Sequence, residues 1–181
     1  EYKIEKTRFI NVTDQTGPVF TGVSDVSMDA GFNFDILDGV SATDFVGGED
    51  VSGITTDIDN LDTSLAGNFQ ITYTVYDKAT PTPNKTEKPR KVHIRPVITV
   101  PPLTDPIAVV ENGTLNMMQG VTVTQNYDET TAPTVSVSHE IISLNEVGQH
   151  TITYSIKYKD GDNKEYKIEK TRFINVTDQT G

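Results

Sequence analysis

Between residues 69 and 76 apolar and polar positions alternate. Phe69, Ile71, Tyr73 and Val75 fall on one side of an extended chain, and Gln70, Thr72, Thr74 and Tyr76 fall on the other. The pattern returns 81 residues later, with His150, Ile152, Tyr154 and Ile156 against Thr151, Thr153, Ser155 and Lys157. A period of two marks a strand with one face in a core and one in water, as in an antiparallel sandwich. No stretch places apolar residues at i, i+3, i+4 and i+7 over three turns, and Pro, Gly, Thr and Val are too frequent for long helices. The chain is therefore expected to be all-β.

Residues 158–165 (YKDGDNKE) read as a hairpin tip, because Asp160, Gly161 and Asn163 tolerate the positive φ of tight turns. In the strand that follows, Tyr166, Ile168, Lys170 and Arg172 alternate, and the apolar positions then shift to Phe173 and Val176. That shift predicts a bulge or a change of sheet. The matching tip earlier in the chain, residues 77–88, carries Pro81 and Pro83 and is expected to be an irregular loop. Residues 94–103 (IRPVITVPPL) lead from one alternating region to the next, with Pro101-Pro102 favouring a short, semi-rigid link.

Repetition organises these elements. Residues 1–17 (EYKIEKTRFINVTDQTG) recur without change as residues 165–181, a period of 164. The chain reads as one period plus an overlap, cut from a longer array of stacked units. Inside the period Gly39-Val40 recurs as Gly120-Val121, and residues 67–75 recur in diverged form as 148–156. Two modules of about 80 residues follow, near the lower limit for a self-supporting core. Their expected bounds are 18–98 and 99–181, with 1–17 as a duplicated strand from a preceding repeat.

Composition narrows the functional classes. With 26 Asp and Glu against 15 Lys and Arg, the formal net charge is −11. Such a chain repels phosphate backbones, which excludes nucleic acid as a natural partner. The acid serves solubility by default, or divalent cations. There is no cysteine, hence no disulfide, zinc-thiolate or thiol nucleophile, which points to a bacterial surface protein or a cytosolic one. No run of 18 apolar residues occurs, so no membrane span is expected in this segment, and no signal peptide is visible. Asn-x-Ser/Thr triplets start at Asn11, Asn84, Asn112 and Asn175.

Three stretches carry a family likeness: residues 39–44 (GVSATD), 49–54 (EDVSGI) and 65–77 (LAGNFQITYTVYD). Together they resemble the immunoglobulin-like module found in tandem on bacterial cell-surface and biofilm-associated adhesins. The likeness is good over 39–77 and fainter over 120–156. It implies a β-sandwich stalk or adhesin module, wall-anchored and extracellular, and carries over no catalytic residue. Phe69 and His150 stand where that family often has Tyr, which removes a tyrosine-corner hydroxyl bond at those two positions.

Candidate chemistry is sparse. His93, His139 and His150 have no partner at metal-site spacing and no framing Ser or Asp. Gly47-Gly48 precedes Glu49-Asp50, which would repel phosphate. Carboxylates cluster at Asp44, Glu49 and Asp50, at Asp57, Asp59 and Asp62, and at Asp160 with Asp162. Calcium takes six to eight oxygens, which such loops can supply, while Asp and Asn are also ordinary turn residues. Immunoglobulin-like topology would bring Asp160 and Asp162 of the second module towards Asp57, Asp59 and Asp62 of the first, with Asp105 between. The expectation is a flexible acidic joint or a calcium-stiffened junction, no cofactor being required. A Lys–Asn or Lys–Asp isopeptide bond near Lys88, Lys91, Lys167 or Lys170 is a further alternative.

The sequence thus describes two tandem, antiparallel immunoglobulin-like β-sandwich modules in line, a stalk repeat of a bacterial cell-surface adhesin without catalysis. Its expected partners are neighbouring repeats, with self-association through residues 2–12 as a strand seeking an edge. The competing readings are a glycan- or host-protein-binding module and an accessory module of a secreted carbohydrate-active enzyme.

Overall fold

The computed structural model describes residues 2–44, 51–103, 107–108, 113–124, 133–159 and 164–178. The strands in chain order are β1 (Val19–Thr21), β2 (Val26–Asp29), β3 (Ser41–Thr43), β4 (Thr55–Thr56), β5 (Gly67–Tyr76), β6 (Lys85–Arg95), β7 (Ile98–Thr99), β8 (Ile107–Ala108), β9 (Thr114–Asn116), β10 (Thr122–Val123), β11 (Ser136–Val137), β12 (Ile141–Ser143), β13 (Gly148–Lys159) and β14 (Glu165–Thr177). No described residue is helical. The all-β expectation therefore stands as the observed architecture.

By packing, the chain divides into two compact units. One comprises Glu1–Asp25, Asp35–Asn60 and Gln70–Lys91, and the other Val26–Phe34, Leu61–Phe69 and Val92–Gly181. The long strands β5 and β6 are neighbours in a sheet of order β2-β6-β5-β4. In the first unit β4 pairs antiparallel with β5, Thr55 facing Thr74, and β1 pairs antiparallel with β3. The expected alternation of β5 is observed: Ile71, Tyr73 and Val75 are buried, and Gln70 and Tyr76 are exposed. Phe20 of β1 meets the edge of the Tyr73 ring at a centroid separation of 6.3 Å. The loop after β5 is shorter than residues 77–88. It closes at Asn84, whose carbonyl accepts from Asp77 N, and β6 begins at Lys85.

Gly22 is the tightest point of the first unit. Its φ is +77°, and a Cβ there would lie 1.9 Å from the Gly39 carbonyl oxygen, itself on a residue with φ +68°. Only glycine satisfies both demands.

In the second unit a four-stranded sheet of order β11-β13-β14-β8 lies with two short pairs, β7–β10 and β9–β12. Their apolar faces share one core of Ile98, Met117, Ile142, Leu144, Ile152, Tyr154, Ile156, Ile174 and Val176. Ile98 thus packs with the second core, upstream of the Pro101-Pro102 link. Each such side chain contributes about 2 kcal/mol of transfer free energy, offset by the entropy of ordering the chain. His93 stacks on Tyr158 at 5.8 Å and Tyr158 on Tyr166 at 5.4 Å within this unit.

The shift at Phe173 has a different cause from the one expected. β13 and β14 pair without interruption from Gly148↔Val176 to Lys159↔Glu165, which leaves no room for a bulge. The inward face runs on through Arg172, Ile174 and Val176, and Phe173 points to solvent. An exposed aromatic on the outer face gave the misleading signal. The tip between the two strands, residues 160–163, lies outside the described residues.

Candidate functional site

Three carboxylates of the first unit converge. Asp44 follows the end of β3, Asp77 follows the end of β5, and Asp14 belongs to the duplicated segment. Each offers an oxygen, and these oxygens lie within 4.8 Å of one another. Asp44 is 8% and Asp77 5% exposed, and Asp14 is half-buried. The local chain explains the convergence: two strands end at the same edge of the unit, and the 14–17 segment is tied to that edge.

Asn84 makes the tie. Its side-chain amide donates to Asp77 Oδ2 at 2.7 Å and reaches the carbonyls of Asp14 and Thr16, both at 3.3 Å. The Asn84 backbone donates to Asp77 Oδ1 at 2.7 Å, and Ala79 N to the same oxygen at 3.1 Å. Asp14 folds its own turn, accepting from Thr16 N at 3.0 Å and Thr16 Oγ1 at 2.8 Å. Burial works to raise the Asp77 carboxyl, but the hydrogen bonds from Asn84 and Ala79 outweigh it and hold the group below the ordinary Asp value.

Chemically, the trio offers hard oxygen ligands of the kind divalent cations take, though fewer than the six to eight oxygens of a complete calcium shell. Its other property is the close approach of three like charges, which a bound cation would relieve. The composition of the trio was only partly visible in sequence. Asp44 stood in an acidic stretch, but Glu49 and Asp50 lie outside the described residues. Asp14 and Asp77 were signalled only by position, one in the duplicated segment and one at a strand end.

The residues expected at a junction are placed as follows. Asp57 is exposed and accepts from Thr72 N at 2.8 Å, and Asp59 is exposed. Asp62 closes a local turn, accepting from Ser64 Oγ at 2.6 Å and Ser64 N at 2.9 Å, and these bonds lower its carboxyl below the ordinary value against a small opposing effect of burial. Asp105, Asp160 and Asp162 lie outside the described residues. Lys88, Lys91, Lys167 and Lys170 are exposed, Lys167 pairing with Glu169 at 2.6 Å and Lys170 reaching the Ile98 carbonyl at 3.3 Å. Of the histidines, His93 Nδ1 lies 2.7 Å from Asn68 Oδ1, and His150 Nε2 lies 3.0 Å from the Glu146 carbonyl.

A second feature was missed in sequence and recurs in both units. The Tyr73 hydroxyl donates to the Ile36 carbonyl at 2.6 Å. Arg90 reaches that hydroxyl at 3.0 Å, covers the Tyr73 ring at 5.2 Å and donates to the Gly22 carbonyl. In the second unit the Tyr154 hydroxyl donates to the Met117 carbonyl at 2.8 Å, while Arg172 covers the Tyr154 ring at 5.7 Å and donates to the Pro101 carbonyl. Burial raises both tyrosines above the ordinary phenol value, with the neighbouring arginine opposing. The hydroxyl-to-backbone bond lacking at Phe69 and His150 is thus supplied four residues later in each strand.

The strand order, the shared apolar cores and this recurring Tyr–Arg brace define an all-β protein of immunoglobulin-like sandwich type. No protein-family model matches the chain, and no curated protein matches it. Among solved structures it is similar to protocadherin gamma C5 EC1-3, at 14% identity and a TM-score of 0.36 over 91% of this chain and 70% of that one. It is also similar to extracellular cadherin domains 1-4 of protocadherin gamma B7, at 12% and 0.32 over 91% and 51%. A third is the structure of CBM51-2 in complex with GlcNAc and INT domains from Clostridium perfringens ZmpB, at 12% and 0.36 over 88% and 41%. The chain spans about half the length of that protocadherin gamma B7 chain and less of the clostridial one. At such identities and TM-scores the class rests on the chain's own strands and packing.

Proposed function

We propose that this chain is a spacer repeat of a bacterial cell-surface adhesin, an extracellular, wall-anchored stalk supporting adhesion or biofilm formation, with modules at 18–98 and 99–181. The observation that carries the reading is repetition at two levels. Seventeen residues return unchanged after 164, and a buried Tyr–carbonyl brace spanning 37 residues returns after 81. Repetition of an interior brace favours a unit used for its mechanics, because a binding or catalytic centre would repeat its exposed side chains instead.

The duplicated segment also suggests how repeats join. Residues 14–17 recur as 178–181, so the tie made by the Asn84 side chain to the Asp14 and Thr16 carbonyls is the contact through which one repeat would hand over to the next. The test is adhesion of bacteria displaying the parent protein with whole periods removed. Loss of reach to a buried target, with no binding of the purified chain to glycan arrays or host cells, supports the spacer. Micromolar binding by the purified chain would instead make it a recognition module.

A further inference from the structure

Each module changes sheets near its entry, and the two crossings are built alike. In the first, β1 pairs with β3, Gly22 follows, and β2 then runs parallel to the last strand, β6, with Val26 opposite Val92. In the second, β7 pairs with β10, Pro101 follows, and β8 runs parallel to the last strand, β14, with Ile107 opposite Val176. Gly22 and Pro101 therefore stand where the chain leaves one sheet for the other.

Both crossings are held from two sides. Arg90 of β6 donates to the Gly22 carbonyl across 68 residues, and Arg172 of β14 to the Pro101 carbonyl across 71. From the other side comes a glycine in the left-handed region, Gly39 at φ +68° and Gly120 at φ +70°. A Cβ on Gly22 would lie 1.9 Å from the Gly39 oxygen, and one on Gly120 would lie 3.1 Å from the Pro101 ring. Tyr73 and Tyr154 complete the lock, each ring covered by its arginine and each hydroxyl on a carbonyl 37 residues upstream. Glycine at one crossing and proline at the other receive the same contacts, so what recurs is the link and not the residue.

The position of this link matters when the chain is pulled. Tension along a tandem chain enters a module through its first strands and leaves through its last, because these are its covalent ends. Where β2 meets β6 and β8 meets β14 the strands are parallel, so tension slides one along the other. The arginine stands on the exit strand and grips the entry segment just ahead of that pairing. A charge-assisted bond is roughly twice as strong as a neutral one. Arg90 is only 4% exposed, so water does not readily take its place.

We infer that the Arg–Tyr lock at the crossing is a tension clamp, which must open before the end strands of a module can part. It governs the rate of unfolding under pull, beyond its share of equilibrium stability. Its use in a stalk rests on the spacer reading; its presence in the fold does not.

The test holds the whole chain by handles at its two ends under constant force. The parent should give two unfolding events. Arg90→Lys should shorten the lifetime of one and Arg172→Lys that of the other, each about tenfold, because a bond on the path of tension is broken in the forced transition state. Ile71→Val and Ile142→Val remove one methylene from β5 and β12, which are not end strands, and should change the lifetimes about twofold at most. Tyr73→Phe and Tyr154→Phe keep the rings, lose the hydroxyls and should act in the direction of the arginine variants. Each lifetime is scaled to the stability that the same variant loses in urea. The inference is overturned if the arginine variants, so scaled, unfold under tension no faster than the isoleucine variants. Should an arginine variant not fold, the same comparison with its tyrosine partner decides. A single unfolding event for the whole chain would contradict the two-module reading, while the scaled lifetimes would still judge the clamp.

Discussion

The Tyr73 hydroxyl donates to the Ile36 carbonyl at 2.6 Å, joining the middle of β5 to a turn 37 residues upstream. Both groups are buried, so neither can exchange its partner for water. Tyr73→Phe removes the donor and leaves the carbonyl and Arg90 short of a partner, a loss of about 1 to 3 kcal/mol. Tyr154→Phe is expected to act alike on Met117. Urea unfolding of each variant gives the difference, and an unchanged midpoint would remove the brace from the account.

The same tyrosines set a limit at high pH. Their phenols are raised by burial, so the folded chain keeps its protons where the unfolded chain loses them. The stability they contribute is complete below the unfolded value, near pH 10, and is lost as pH rises through the higher folded values. Midpoints measured from pH 8 to 11 should fall for the parent chain and fall less for the double Tyr→Phe variant.

Arg90 spans the Tyr73 hydroxyl and the Gly22 carbonyl with two guanidinium nitrogens. A lysine ammonium cannot hold that planar fork, so Arg90→Lys should cost about 1 to 2 kcal/mol despite the conserved charge. Gly22→Ala should cost more, because its Cβ would strike the Gly39 backbone oxygen at 1.9 Å. Circular dichroism melts of the two variants rank the effects, and an Ala variant as stable as the parent would refute the close approach.

At low pH Asp77 is one of the carboxyls whose protonation costs stability. Its folded carboxyl lies below the ordinary value, so the stability it contributes is present above the unfolded pKa, about 4, and disappears as pH falls through the folded one. Asp77→Asn should be less stable than the parent at pH 7, with the gap closing as pH falls through the lowered folded value of Asp77. A gap that stays constant as the pH is lowered into strong acid would mean that the loss is steric.

The carboxylate trio makes an electrostatic prediction of its own. With Asp14, Asp44 and Asp77 within 4.8 Å, a chelator should leave the repulsion unrelieved and millimolar calcium should raise the midpoint. Asp44→Asn should gain in chelator and respond less to calcium. Equal calcium responses in both chains would show that the trio takes no part.

Much of the fold was legible because strands announce themselves by alternation, and β5 and β13 do so over Ile71, Tyr73 and Val75 and over Ile152, Tyr154 and Ile156. Arg90 and Arg172 were not legible as core groups. A cation on an inward face reads as a break in the pattern until the phenol and carbonyl that receive it are seen. Phe173 misled for the opposite reason, an aromatic on the outer face. The acidic trio escaped notice because its members are 30 and 33 residues apart and meet only where β3 and β5 end. Asp57 and Asp62, read from the sequence as members of an acidic junction, accept hydrogen bonds from Thr72 and Ser64, as turn and strand-end carboxylates do.

The most direct measurement is small-angle scattering of chains carrying one, two and three copies of the 164-residue period. If the period is a spacer of two sandwich modules, the maximum dimension should grow by a constant increment of about 70 Å per copy, as strands of about ten residues dictate. A dimension that stays level as copies are added, with the modules folding back on one another, would contradict it.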